Sequence, residues 1–223
     1  MGSVVTKSEY SEMRSVATGI LNGLCRMLVL PSVLCCRLQA ALLGRDRAFC
    51  GWSQLYSLLP GLTGQYLRQA FFRSTMRHCG DKVCVSFGTV FSHSGVSLGD
   101  FVYIGSFCSI GDVVIEDDVL IASHVSVMNG CRQHATDRLD LPIREQPGIY
   151  EPITIGCDSW IGEHATVAAS IGRHCVIGAG SLVLQPVPDY AVAVGVHARV
   201  IRDRRDVRGE IRQRETGGDS AEF

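Results

Sequence analysis

One histidine of this chain has surroundings suited to proton-transfer chemistry. His134 ends the segment Asn129-Gly130-Cys131-Arg132-Gln133-His134, which interrupts an otherwise regular apolar pattern. An imidazole is mostly neutral at cellular pH and can accept a proton from a hydroxyl group. A segment expelled from a regular scaffold is also where reactive side chains are commonly placed. The sequence therefore indicates His134 as a candidate general base.

A general base is most effective when a hydrogen bond to its second ring nitrogen fixes its orientation. The same segment carries Glu145 and Glu151 as candidates for this role, while Asp137 and Asp140 are less favoured. Spacing does not choose between the two glutamates, because an acidic side chain in a loop is more often simply solvated. Both remain candidate catalytic residues beside His134.

The scaffold around this segment has a period of about six residues. One such unit is a short strand with an aliphatic residue facing inwards, followed by a small or acidic residue at a corner. Three units complete one turn of a β-helix. The sequence therefore predicts a mainly β fold, a β-helix with an N-terminal helical extension. The repeated pairs are Leu98-Gly99, Ile104-Gly105, Ile110-Gly111, Ile115-Glu116, Ile121-Ala122, Ile155-Gly156, Ile161-Gly162, Val167-Ala168, Ile171-Gly172 and Ile177-Gly178, with Val127 and Val183 ending the two series.

The second half of this repeat resembles a known family. The likeness is carried by Trp160-Ile161-Gly162, by the runs 176–181 (VIGAGS) and 193–201 (AVGVHARVI), and by Val187-Pro188. These residues resemble the hexapeptide-repeat acyltransferases, in particular the maltose, galactoside and nodulation-factor O-acetyltransferases and their polysaccharide-cluster relatives. The resemblance covers residues 83–201. It implies a left-handed parallel β-helix and a homotrimer with active sites between neighbouring subunits.

The resemblance also implies an activity and a co-substrate. It implies direct acetyl transfer from acetyl-CoA to a sugar or glycan hydroxyl, with His134 as the base and without a metal. Trp160 would form an apolar wall for CoA, and the backbone of Ala179 would contact the pantetheine arm. Arg199 and Arg202 match basic residues near the nucleotide phosphates, where arginine makes charge-assisted hydrogen bonds. We expect a cytoplasmic enzyme of polysaccharide biosynthesis.

Several positions depart from the pattern of these relatives. Ser106 stands where the sugar acetyltransferases carry an asparagine, and Gln185 and His197 lie in runs that differ from theirs. His124 and His164 are predicted as exposed turn residues at corners of the coil. The departure at Ser106 argues for an acceptor other than maltose or a galactoside. Three alternatives to hydroxyl acetylation also stay open: transfer to the amine of an aminosugar or antibiotic, a β-helix scaffold without catalysis, and a metal-dependent hydratase.

The repeat divides the chain into three parts. We predict an N-terminal tail and helical collar over 1–82, a β-helix over 83–202 with an inserted loop at 128–152, and a polar tail, expected to be disordered, over 203–223. The stretch Val16–Leu43 is strongly apolar but contains Arg26, Arg37 and Pro31, and the proline is expected to break or kink a helix. A helix that caps the open end of the β-helix is the leading interpretation, ahead of a helix lying on the membrane surface and of a membrane span.

Composition excludes some partners. The formal net charge of −1 gives no electrostatic footprint for nucleic acid. The ten cysteines lie mainly at apolar positions without the spacing of a zinc or redox motif, and the first fifteen residues do not resemble a signal peptide. Both observations favour reduced thiols in a cytosolic protein.

Overall fold

The computed structural model describes residues 7–130 and 133–206, with side chains from residue 19 onwards. Residues 1–6 and Cys131 and Arg132 of the predicted loop lie outside the described residues. So does most of the predicted C-terminal tail, from residue 207 to its end.

Three helices precede the β-structure: α1 (Lys7–Leu43), α2 (Arg45–Ser57) and α3 (Gly61–Thr75). Helix α1 begins at Lys7, within the N-terminal part that the sequence predicts as a tail and helical collar. It also continues through Pro31, so of the predicted break or kink at this residue the break does not occur. Proline within a helix costs about 3 kcal/mol. Packing of one side of α1 against α2 and α3 offsets this cost.

The helices that cover the open end of the β-structure are α2 and α3. Helix α2 contacts the third strand of the first coil, and α3 contacts the first two strands. Their contact is aromatic: the Phe72 ring meets Phe91 of the β-structure edge-on, with centroids 4.9 Å apart, and Tyr56 stacks on Phe71 at 4.4 Å. Helix α1, the predicted cap, instead lies on the outside of α2 and α3. The cap is therefore two layers deep.

A buried arginine joins α3 to its neighbours. Arg68 is 1% exposed, and its Nε donates to the carbonyl oxygen of Val85 at 2.9 Å. Its Nη1 donates to the carbonyl oxygens of Tyr56 and Leu59, which end α2 and begin the turn before α3. Burial lowers the pKa of the Arg68 guanidinium. Through these backbone carbonyl groups Arg68 links the end of α2, the turn before α3 and the first coil, and the bonds keep its buried donors satisfied.

The rest of the chain forms a parallel β-solenoid of about six turns. Its strands form three sheets, which we name sheet A (β1-β4-β7-β10), sheet B (β16-β15-β13-β11-β8-β5-β2) and sheet C (β14-β12-β9-β6-β3). The strands are β1 (His78–Cys79), β2 (Cys84–Val85), β3 (Val90–Phe91), β4 (Ser97–Leu98), β5 (Tyr103–Ile104), β6 (Ser109–Ile110), β7 (Val113–Ile115), β8 (Leu120–Ile121), β9 (Ser126–Val127), β10 (Ile153–Ile155), β11 (Trp160–Ile161), β12 (Thr166–Val167), β13 (Val176–Ile177), β14 (Leu182–Val183), β15 (Ala191–Val194) and β16 (Arg199–Asp203).

The six-residue repeat sets the register of these strands. On sheet B, Ile104, Ile121, Ile161 and Ile177 follow one another through paired strands, and each is fully buried. The shortened step between Ile110 and Ile115 is taken up at a corner, because β7 begins directly after Gly111-Asp112. The repeat therefore builds one continuous aliphatic column from the first coil to the last.

Candidate active site

The triangular cross-section of the solenoid determines which predicted residues can meet. The chain passes from sheet A to sheet B to sheet C in every coil, which gives three lines of corners. We call the corners between sheets B and C the BC edge, and those between sheets C and A the CA edge. In a triangle the CA edge is opposite sheet B.

The predicted His-bearing loop leaves the solenoid at the CA edge. It begins after β9 and returns at β10, and it contains one short 3₁₀ turn at Ile143–Glu145. Gln146, which is 6% exposed, holds the far part of the loop together. Its amide donates to the carbonyl oxygens of Arg138 at 2.7 Å and Leu141 at 3.0 Å, and its Oε1 accepts from the Arg138 amide.

His134 is exposed at the near end of this loop, where two loop segments run side by side. The amide of Ala135 donates to the carbonyl oxygen of Pro147 at 3.1 Å. A Cβ on Gly148 would overlap the carbonyl oxygen of Gln133 and would lie 3.3 Å from the His134 nitrogen. The approach of Gly148 therefore fixes the backbone that carries His134.

Replacing Gly148 by alanine is expected to misplace His134. The added Cβ would lie 2.6 Å from the Gln133 carbonyl carbon, which is backbone, so the loop must move. A displacement of about 1 Å costs on the order of 10²-fold in turnover when it moves a group that positions a reaction. Steady-state kinetics measures this loss. Gly51→Ala is the matched control, because its Cβ meets nothing within 4 Å; equal kinetics for both variants would contradict the role of Gly148.

The structure places the two candidate glutamates differently. Glu145 lies in the 3₁₀ turn, is 51% exposed in its side chain, and has Arg144 Nη2 3.6 Å from its Oε1. Glu151 lies where the loop returns to the solenoid, opposite Gly130: a Cβ on that glycine would lie 3.9 Å from the Glu151 Cβ. The less favoured Asp140 is paired with Arg138, whose guanidinium lowers the pKa of the aspartate.

The residues predicted to bind CoA lie on sheet B or at its border. Trp160 is 53% exposed on β11, between Leu120 of β8 and Val176 of β13. Arg199 and Arg202 lie on β16, which runs antiparallel to β15 at the C-terminal end of the sheet. Arg199 is exposed, and Arg202 is half-buried. Sheet B thus carries the Trp160 ring on β11 and, at its C-terminal end, the guanidinium groups of Arg199 and Arg202 on β16.

Ala179 lies at the BC edge, where successive coils approach closely. A Cβ on Gly162 would lie 2.5 Å from the Ala179 nitrogen, so only glycine permits this spacing. The next residue, Gly180, has a φ of 68°, and a Cβ there would meet nothing within 4 Å. These small residues leave the backbone at this corner open to a ligand.

A column of stacked rings lies along the BC edge below Gly180. The Phe107 ring stacks on His124 with centroids 5.4 Å apart, and His124 stacks on His164 at 4.8 Å. All three residues have φ values of 57–58° and occupy the same corner of successive coils. The sequence predicts the corner positions of the two histidines but not the stack. Aligning corner positions between coils is the signal that would have found it.

Ser106 precedes Phe107 at this edge. It is half-buried, and its backbone amide donates to the Ser123 hydroxyl of the next coil at 3.2 Å. The departure from asparagine that the sequence indicates therefore lies beside the ring column. A small hydroxyl and an exposed ring occupy this part of the edge.

One chain does not bring all the predicted site residues together. His134, Glu145 and Glu151 belong to the loop at the CA edge, while Trp160, Ala179, Arg199 and Arg202 lie on sheet B or at the BC edge. Among the side chains of residues 19–130 and 133–206, no group of three or more His, Cys, Asp or Glu is arranged to hold a metal ion.

Comparison with known proteins relates the chain to acetyltransferases. No protein-family model matches the chain. The galactoside O-acetyltransferase of Escherichia coli (strain K12) is 34% identical over 147 residues, which are 62% of this chain and 70% of that protein. A probable acetyltransferase of Mycobacterium tuberculosis is 37% identical over 134 residues, and the match covers 57% of this chain. It spans only 42% of the mycobacterial protein's length.

The fold is similar to that of a solved enzyme complex. The structure of a galactoside acetyltransferase in complex with coenzyme A aligns with a TM-score of 0.62 and 28% identity, covering 72% of this chain and 82% of that one. The predicted resemblance and the left-handed β-helix fold are thereby confirmed.

Proposed function

We propose that this chain, which belongs to the hexapeptide-repeat acetyltransferase family, transfers the acetyl group of acetyl-CoA to a hydroxyl group of a sugar or glycan. The observation that carries the proposal is the single long interruption of the aliphatic column, which presents an exposed histidine beside the close backbone approach of Gly148. The likeness to galactoside acetyltransferases supports a sugar as acceptor.

In the proposed mechanism His134 accepts the proton of the acceptor hydroxyl while its oxygen attacks the thioester carbonyl carbon. A carbon–oxygen bond forms and the carbon–sulfur bond breaks. The sulfur leaves with the bonding electron pair and takes the proton from the imidazole, so that free CoA and the acetyl ester are the products. No covalent enzyme intermediate is needed.

We propose Glu151 rather than Glu145 as the carboxylate that orients His134. Glu145 lies on the far 3₁₀ turn, and its nearest cation is the neighbouring Arg144. Glu151 is at the base of the loop, where the chain re-enters the rigid solenoid. A group held by the solenoid can fix an imidazole better than one on the loop tip.

Sheet B and the BC edge form the proposed CoA site. Trp160 offers an exposed ring for the apolar part of CoA, and the corner at Ala179 and Gly180 leaves room for the pantetheine arm. Arg199 and Arg202 would meet the nucleotide phosphates, to which guanidinium groups donate paired hydrogen bonds.

We propose that a homotrimer completes the site. The loop with His134 is on the edge opposite sheet B, so a reaction between its imidazole and a thioester on the CoA site needs a second copy of the chain. The CA edge of one subunit would face the BC edge of the next. Three copies related by a three-fold axis satisfy this pairing in a closed ring.

We place the enzyme in the cytoplasm, at the inner face of the membrane. Support comes from α1, whose segment Gly19–Leu43 is long and apolar enough to cross a membrane and is largely unburied. A lipid-linked glycan would then be within reach as an acceptor.

An acceptor panel with acetyl-CoA tests the proposed function. We expect free thiol release with hydroxyl-bearing sugars and little with the matching aminosugars. Preferential acetylation of the amine would contradict the hydroxyl acceptor and favour the alternative, transfer to an amine. CoA should also raise the unfolding temperature by mass action. A chain without turnover and without this shift would be a scaffold, and the proposal would fail.

A further inference from the structure

Helix α1 has one buried and one exposed apolar side. Cys25, Val29, Val33 and Cys36 are buried against the inner helices. The opposite side, which we call the outer face, spans about 120° of the helix at 100° per residue. It is formed by Leu24, Met27, Leu28, Leu34, Leu38 and Leu42, all at least half exposed. A soluble surface rarely shows so many adjacent large apolar side chains, so the outer face indicates an interaction surface.

The helical region around this face is strongly basic, unlike the chain as a whole. Residues 19–80 contain seven arginines, no lysine and one acidic residue, Asp46, while the whole chain has a net charge of −1. Asp46 is itself engaged: its Oδ1 accepts hydrogen bonds from the Ser94 amide and hydroxyl, both at 2.9 Å. An apolar face within a basic region is complementary to an anionic lipid surface.

A cavity of about 370 Å³ lies at the C-terminal end of α1. Arg37 and Arg45 line it together with apolar side chains that include Phe49 and Met76. Arg37 lies about 120° from the centre of the outer face, on the border between the exposed and buried sides. Its Nη2 donates to the Ser74 carbonyl oxygen at 3.4 Å, which occupies one of the five guanidinium donors. Two guanidinium groups over an apolar floor suit a lipid phosphate.

We propose that α1 lies flat in the interface of an anionic phospholipid bilayer, with its outer face among the acyl chains and a lipid phosphate between Arg37 and Arg45. A membrane span is disfavoured by the packing of α1, because lipid around the whole helix would require Val29 and Val33 to leave α2 and α3. The inference deepens the membrane location in the proposed function, on which it rests.

Flotation with lipid vesicles tests this arrangement. The full chain should float with vesicles of phosphatidylcholine and phosphatidylglycerol and bind pure phosphatidylcholine on the order of tenfold more weakly. Leu28→Ser/Leu38→Ser should lose on the order of tenfold in bound fraction. Leu139→Ser, at a leucine that is 99% exposed on the loop, is the matched control and should bind normally. Equal binding of Leu28→Ser/Leu38→Ser and Leu139→Ser would overturn the role of the outer face.

The phosphate position has its own test. Arg37→Gln/Arg45→Gln should weaken binding to phosphatidylglycerol vesicles roughly tenfold, with Arg144→Gln as the matched exposed-arginine control. Unchanged binding of the double variant would contradict a lipid phosphate in the cavity. The unfolding temperature of each variant with CoA verifies that it is folded, so that a binding loss is not a folding loss.

Cysteine labelling reports the orientation of the helix. Cys35 is exposed on α1, while Cys157 is half-buried at a corner of the solenoid. Anionic vesicles should protect Cys35 from maleimide and leave the labelling of Cys157 unchanged, as mapped by mass spectrometry.

Extraction with alkaline carbonate separates a flat helix from a span. It should release the bound protein; retention would indicate a span and contradict the flat arrangement. Acetyl transfer to a soluble sugar, measured in parallel, separates failure of membrane binding from failure of the proposed activity.

Discussion

Replacing His134 by alanine is expected to lower kcat by about 10²–10⁴-fold, the contribution typical of a positioned general base. The imidazole is exposed on the loop at the CA edge, so its removal leaves no core cavity and should leave the unfolding temperature unchanged. The measurement is thiol release from acetyl-CoA with a sugar acceptor that the wild-type enzyme acetylates.

Two controls make this experiment decisive. His78→Ala removes an exposed imidazole from the first coil on sheet A, away from the loop, and should retain activity. The thermal shift that CoA produces should survive in His134→Ala, because the proposed CoA site is on sheet B. Retained turnover in His134→Ala would remove this residue as the base; a lost CoA shift would indicate that the loop acts in binding instead.

The second large effect concerns stability. Ile121→Ala is expected to lower the free energy of unfolding by about 2–5 kcal/mol, because it removes buried methylene and methyl groups and leaves a cavity. Ile121 is fully buried in the column, between Ile104 and Ile161 of the neighbouring coils. The coil above and below cannot close the gap without breaking the hydrogen-bond ladders of three sheets.

Denaturant unfolding at fixed protein concentration measures this loss. Leu139→Ala is the control, since Leu139 is 99% exposed and should change the free energy of unfolding little. Equal losses for the two substitutions would show that stability depends on something other than the column. A lower free energy of unfolding in Ile121→Ala, together with normal CoA binding at a temperature where the variant is folded, would separate folding from the chemistry of the site.

The fold was predictable because its signal is periodic. An aliphatic residue at every sixth position has one regular solution in which all such residues are buried, and residues such as Ile121 and Ile161 occupy it as expected. The interruption at residues 128–152 was equally visible, since a break in a strict period needs no knowledge of packing. His134 stood out for the same reason.

The helical region shows where periodicity is insufficient. Pro31 predicts a break, yet α1 continues through it, because long-range packing on α2 and α3 outweighs a local penalty. Hydrophobicity alone also could not tell which helix covers the solenoid and which one lies outside. Arg68 had no signal in the sequence, because its partners are backbone carbonyl groups brought near by the fold.

The sequence by itself determined the solenoid, its register and the one loop that carries a histidine, because all three follow from spacing along the chain. Only the tertiary structure decided that this loop and the residues proposed for CoA lie on opposite sides of one triangle. It also decided that rings far apart in sequence stack along the BC edge and that the leucines of α1 face outwards. These features depend on which coils and helices become neighbours, and spacing along a chain does not specify distances across it.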